Sequence, residues 1–136
     1  LSPDGDDEIR LANTTSASLG TARVADFPGN YLTSQTQDNG DVWFGTNYSY
    51  TNPIAGNYAW HTTLHEIGHA LGLKHSQETG FFGAMPDNIN SMEYSVMTYR
   101  SYINGPNGPY SNEANGFAQT YMMYDIAALQ HMYGAD

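Results

Sequence analysis

Over the first 45 residues, apolar and polar positions alternate in short runs. Glu8-Ile9-Arg10-Leu11-Ala12 has the period of two of a half-buried strand, and Thr21–Ala25 and Asp41–Phe44 offer two more strand candidates. Turn residues separate the runs: Pro28-Gly29 follows the second, Asn39-Gly40 opens the third and Gly45 closes it. Residues 1–7 read as a polar lead-in, and 46–57, with Pro53 and Gly56, as a loop. The period then changes. From Trp60 to Leu71 the apolar residues Leu64, Ile67 and Leu71 recur three and four apart, which predicts a helix with one apolar face and Gly72 as its stop. Residues 76–120 carry many Gly, Pro, Asn and Ser with little periodicity and are predicted to be mostly irregular. A last helix is predicted from Tyr121 to Met132, with Met122, Ile126, Leu129 and Met132 or Tyr133 facing the core and Gly134 ending it. Strands first and helices after predict an α+β domain with a small sheet.

Composition narrows the function classes. A chain of 136 residues is one domain, long enough for a single core. Four Lys and Arg against fourteen Asp and Glu give a formal charge of −10, which argues against a nucleic-acid or anionic-membrane partner because either needs a basic patch. With no cysteine, neither a disulfide framework nor a thiolate site is available. No apolar run approaches a membrane span, and no secretory leader pattern is read in these residues. The opening Leu1-Ser2-Pro3-Asp4-Gly5 is loop-like and suggests a piece of something longer.

The chemistry concentrates in His65-Glu66-Ile67-Gly68-His69-Ala70-Leu71-Gly72-Leu73-Lys74-His75. On a helix, positions i and i+4 share one face with Cβ atoms roughly 6 Å apart, so His65 and His69 can converge on one zinc ion. Glu66 lies one step round, within reach of a water at the metal without binding the metal itself. The apolar stripe at 64, 67 and 71 faces elsewhere, so the pattern does not need the histidines for the core. His75 joins only if the helix breaks, because six more helical residues would carry it about 600° round the cylinder. Gly72 can take the positive φ such a break requires. Three neutral imidazoles leave a fourth zinc position open, the arrangement of a catalytic rather than a structural site. His61, four residues before His65, is a rival for the place of His75. His131 reads as a surface or packing residue of the last helix. Downstream, Ser95-Val96-Met97-Thr98-Tyr99 can place Met97 as an apolar floor beneath the metal, or simply as core filler, and can aim the Tyr99 phenol at the metal or at a developing oxyanion.

These residues resemble the metzincin metallopeptidases, whose extended zinc motif is followed by a Met-turn. The likeness is to the serralysins in three places: HEIGHALGLKH at 65–75, Met97-Thr98-Tyr99 after Val96, and the closing stretch Asp125–Gly134. Matrixins share the zinc motif but usually carry Pro two residues after the Met-turn methionine. The resemblance implies His65, His69 and His75 as zinc ligands, Glu66 as catalytic base, Met97 as the Met-turn residue, and Tyr99 as a switchable fifth ligand and transition-state donor. It implies a small twisted mixed sheet with an active-site helix and a C-terminal helix. The three strand candidates would be the last three of the catalytic-domain sheet, Thr21–Ala25 being the edge that pairs with an extended protein or peptide substrate. It further implies a secreted, extracellular, monomeric enzyme. The family's first strands and first long helix have no counterpart in these residues, nor have the glycine-rich calcium-binding repeats, and Ser76 stands where serralysins often have Pro. Calcium in loops 26–41 or 87–115 stays open, without a clear motif.

The expectation is a zinc-dependent endopeptidase, in which Glu66 takes a proton from water and passes it to the leaving amine while Tyr99 stabilises the oxyanion. The rival reading from another class is a non-catalytic, zinc-stabilised binding module or inactive fragment, for which Glu66 and Tyr99 have no purpose. A matrixin-type enzyme is a third option, disfavoured by Tyr99.

Overall fold

The computed structural model describes residues 9–15, 23–25, 40–46, 50–80 and 82–135. Three short strands, β1 (Leu11–Thr14), β2 (Arg23–Ala25) and β3 (Val42–Gly45), precede two helices, α1 (Tyr58–Ala70) and α2 (Met123–Tyr133). The α+β class and the order of elements follow the hydrophobic pattern, with ends displaced by up to three residues. The expected lead-in at 1–7, Glu8 and Thr21-Ala22 lie outside the described residues. Between α1 and α2 the described chain holds neither helix nor strand, as its Gly, Pro, Asn and Ser content predicts.

The sheet is mixed, in the order β1-β3-β2. β1 runs parallel to β3, pairing Leu11 with Val42 and Thr14 with Gly45, and β2 runs antiparallel to it, pairing Arg23 with Phe44. β2 therefore forms one edge of the described sheet. Alternation along β3 sends Val42 and Phe44 into the core and leaves Trp43 half exposed. Just before the strands, Arg10 meets Asp41 side-on: Nε donates to Oδ1 and a terminal nitrogen to Oδ2, both at 2.7 Å. Asp41 is buried, and the two-pronged pairing satisfies both of its oxygens.

Two apolar clusters flank α1. One joins Val42, Phe44 and Tyr50 to Ala59 and Ala70, and the other gathers Leu73, Val96 and Met97 with Ala118, Tyr121, Met122, Ala128 and Leu129 around it. Asn57 starts α1: its backbone is extended, and its Oδ1 accepts from Trp60 N at 2.8 Å.

The buried face of α1 differs from the one the apolar periodicity predicts. Leu64, Ile67 and Leu71 are only partly buried, whereas His61, Thr62, His65, Glu66 and His69 are buried. Periodicity counts apolar residues and cannot register polar ones whose hydrogen bonds are made internally. At α2 and its N-cap the inward stripe is Met122, Asp125, Ala128 and Leu129, while Ile126, expected in the core, and both alternatives at its end, Met132 and Tyr133, are exposed. Asp125 is the cause. Its carboxylate is drawn inward by three donors, Ser95 Oγ at 2.6 Å, Val96 N at 2.8 Å and Met122 N at 2.9 Å, and that turns Ile126 outward.

Candidate metal centre

α1 does end at the predicted glycine. Gly72 has φ +96°, its N–H donates to His69 O at 2.8 Å, and Leu73 N–H donates to Gly68 O at 2.8 Å. These paired bonds are those of a Schellman cap, which only a residue tolerant of positive φ accommodates easily. The chain reverses there and brings His75 back over the helix end.

His65, His69 and His75 meet, one nitrogen from each lying within 4.8 Å of the others. Their ring centroids are 4.5–5.2 Å apart. Each Nδ1 has an acceptor: Val96 O at 2.8 Å for His65, Leu73 O at 2.7 Å for His69, and Glu78 Oε1 at 2.7 Å for His75. Carbonyl and carboxylate oxygens only accept, so each neutral ring carries its proton on Nδ1 and turns the Nε2 lone pair to the common centre. His69 Nε2 and His75 Nε2 face each other at 3.0 Å. Two acceptors that close repel unless a cation or proton lies between them, and nitrogens bound to one tetrahedral zinc stand about 3.3 Å apart. This donor set fits a divalent ion. The pKa of His65 is held well below its ordinary value, by burial first and by the neighbouring His69 second, which keeps its lone pair available.

On α1, Glu66 is buried, 3% exposed. Tyr99 brings its hydroxyl to 2.7 Å from His75 Nε2. Met97 is 2% exposed, and its sulfur lies 2.6 Å from where a Cβ on Gly68 would fall. His61, the rival third imidazole, stands apart. It is buried among Tyr110, Phe117 and His65, with Nε2 at 3.2 Å from the Tyr110 hydroxyl, and it is not in the convergent group.

Residues 5–98 match the family model described as Matrixin. The chain belongs to that family. Within it the likeness is serralysin-type. The metallopeptidase AprA of Pseudomonas marginalis is 33% identical over 97% of this chain, the metalloprotease AprA of Pseudomonas entomophila 35% over 97%, and serralysin B of Dickeya chrysanthemi 32% over 100%. Those alignments cover 29%, 28% and 29% of the relatives, so the chain spans less than a third of their length. A metallopeptidase family implies a metal, and the three histidines are where this metzincin chain could hold one.

Four supporting groups escape a reading of the residues alone: the Val96 and Leu73 carbonyls, Glu78 and Asp125. Main-chain acceptors leave no residue-type signal, and Glu78 follows His75 by three in a stretch without periodicity. His131 is exposed, the surface alternative of its two readings. Of the loops left open for calcium, 26–39 lies outside the described residues. Within 87–115 no three acidic or histidine side chains gather in a group. No helix among the described residues is long and apolar enough to cross a membrane.

Proposed function

We infer that the protein is a zinc-dependent endopeptidase, with His65, His69 and His75 as the metal ligands. One observation carries this reading: three imidazoles whose Nδ1 atoms are all engaged bring one nitrogen each within 4.8 Å of the others, with a tyrosine hydroxyl 2.7 Å from one of them. Zinc in such a site supplies Lewis acidity and lowers the pKa of water towards about 7.

Glu66 is the general base, taking a proton from the attacking water and delivering it to the leaving amine. Its place one residue after His65 keeps it on the centre's side of α1 while the imidazoles fill the ligand positions. Tyr99 donates its phenolic proton in a hydrogen bond to the oxyanion of the tetrahedral intermediate, and Met97 forms the apolar floor. The edge strand β2 pairs its free backbone groups with an extended protein or peptide substrate. Likeness to serralysin-type relatives supports an extracellular place of work.

The test is cleavage of casein by the purified protein with its zinc content measured, before and after a chelator. Chelator-sensitive cleavage with one zinc per chain is the expected result. Zinc uptake without cleavage would favour a non-catalytic zinc-stabilised module.

A further inference from the structure

The three imidazoles are braced in unlike ways. His65 and His69 give their Nδ1 protons to main-chain carbonyls within the packed interior. His75 gives its proton to a side chain, Glu78, which is 47% exposed and sits on a loop without helix or strand. That loop is tied down by one ammonium group. Lys74 Nζ donates to Glu78 O and to Gly83 O, each at 2.8 Å, and lies 3.4 Å from His75 O. Glu78 N–H in turn donates to His75 O at 3.2 Å, which closes the turn and sets the carboxylate beneath the ring.

We propose that Glu78 is the positioning residue for the third metal-binding imidazole and that Lys74 holds Glu78 in place, so that a solvent-facing Lys–Glu clamp sets how firmly His75 grips the ion. This rests on the reading of His75 as a ligand. An anionic acceptor fixes the Nδ1–H tautomer, aims Nε2 at the ion and makes that nitrogen a stronger donor. A carbonyl does the first two and less of the third. The main chain beside His75 is anchored through the buried Ser76, but its ring is held by a half-exposed side chain, and the clamp takes the place of the buried carbonyls that brace the other two rings.

Zinc dissociation constants of the purified protein, measured by competition with a chromophoric chelator, test the proposal. Glu78→Ala weakens zinc binding about 10–100-fold, in the range typical of a lost partner to a ligating histidine. Glu78→Gln, which keeps an acceptor without the charge, falls between the two. Lys74→Met shifts affinity in the same direction by less. The visible spectrum of the cobalt-substituted Glu78→Ala protein moves towards that of His75→Ala, while the far-UV spectra of the metal-free forms stay alike. Zinc affinity within twofold of wild type in both Glu78 variants, with an unchanged cobalt spectrum, overturns the proposal. Failure of the underlying reading looks different: wild type then takes up no zinc, or His75→Ala binds it as wild type does, and both inferences fall.

Discussion

The sulfur of Met97 lies 2.6 Å from where a Cβ on Gly68 would stand. Met97 therefore occupies the notch that the glycine leaves in α1, between the two helical histidines. This couples two distant parts of the sequence, since the segment carrying Met97 also carries the Val96 carbonyl that braces His65.

Gly68→Ala forces that contact apart. In an unconstrained helix the change would gain about 1 kcal/mol. Here overpacking against buried Met97 outweighs the gain, for a net loss of about 1–2 kcal/mol. Met97→Ala alone costs about 2–5 kcal/mol through the cavity it leaves. In the Met97→Ala background the added methyl has room, and Gly68→Ala becomes neutral or stabilising. Urea unfolding of the four proteins of the cycle measures the coupling. Additive effects would mean that the notch and the methionine are independent.

Glu66→Gln separates binding from chemistry. The variant keeps its zinc, because glutamine at 66 leaves the three imidazoles untouched, and kcat falls at least about 10²-fold. Tyr99→Phe removes one oxyanion donor and lowers kcat about 10²–10³-fold with KM little changed. Loss of zinc in either variant, or near-normal peptidase rates on casein, would contradict these roles.

Asp125 anchors the Met97 segment from α2, and its removal shows in the site. Asp125→Ala leaves Ser95 Oγ and the Val96 and Met122 N–H groups without their acceptor in a buried place, a loss of about 3 kcal/mol. Ser95→Ala removes one of those donors and also the acceptor of the buried Met97 N–H, and costs about 2 kcal/mol. Zinc affinity should fall more in Asp125→Ala than in Ser95→Ala, because the former frees the Val96 and Met122 N–H groups and the latter only the Met97 N–H. Thermal melts and zinc titration of the two variants check both statements.

The site was more legible than the packing around it. Spacing alone placed His65 with His69 on one turn, and the need for a break before His75 matched Gly72, whose φ is indeed positive. Both rest on rigid helix geometry. The core face was misread in α1, and in α2 beyond Met122 and Leu129, for one shared reason: buried His61, Glu66 and Asp125 count as polar in a hydropathy pattern, and His61 and Asp125 make their hydrogen bonds inside. His61 competed with His75 in the residue pattern because i, i+4 spacing fits both pairs equally, and only the third dimension separates them. Among the described residues strand ends slipped by up to three residues, since alternation gives a period and no terminus.

The last prediction concerns acid. His61 is 1% exposed, and its Nδ1 has no hydrogen-bond partner among the described residues. Burial lowers its pKa from 6.5 to about 4, so the folded protein holds it neutral where the unfolded chain would protonate it. The unfolded state then binds more protons between those two values. Stability from this group is fully present above pH 6.5 and is lost as pH falls towards 4, a total of about 3 kcal/mol. His61→Phe keeps an aromatic ring among Tyr110 and Phe117 without a proton to take up. Its urea midpoint should therefore fall less steeply than that of wild type between pH 7 and 4. Both proteins are measured with chelator present, so that acid release of metal does not enter, and His65, held low chiefly by its own burial, is present in both. Parallel curves would show that His61 is protonated in the folded molecule, or that the unfolded chain shields it equally.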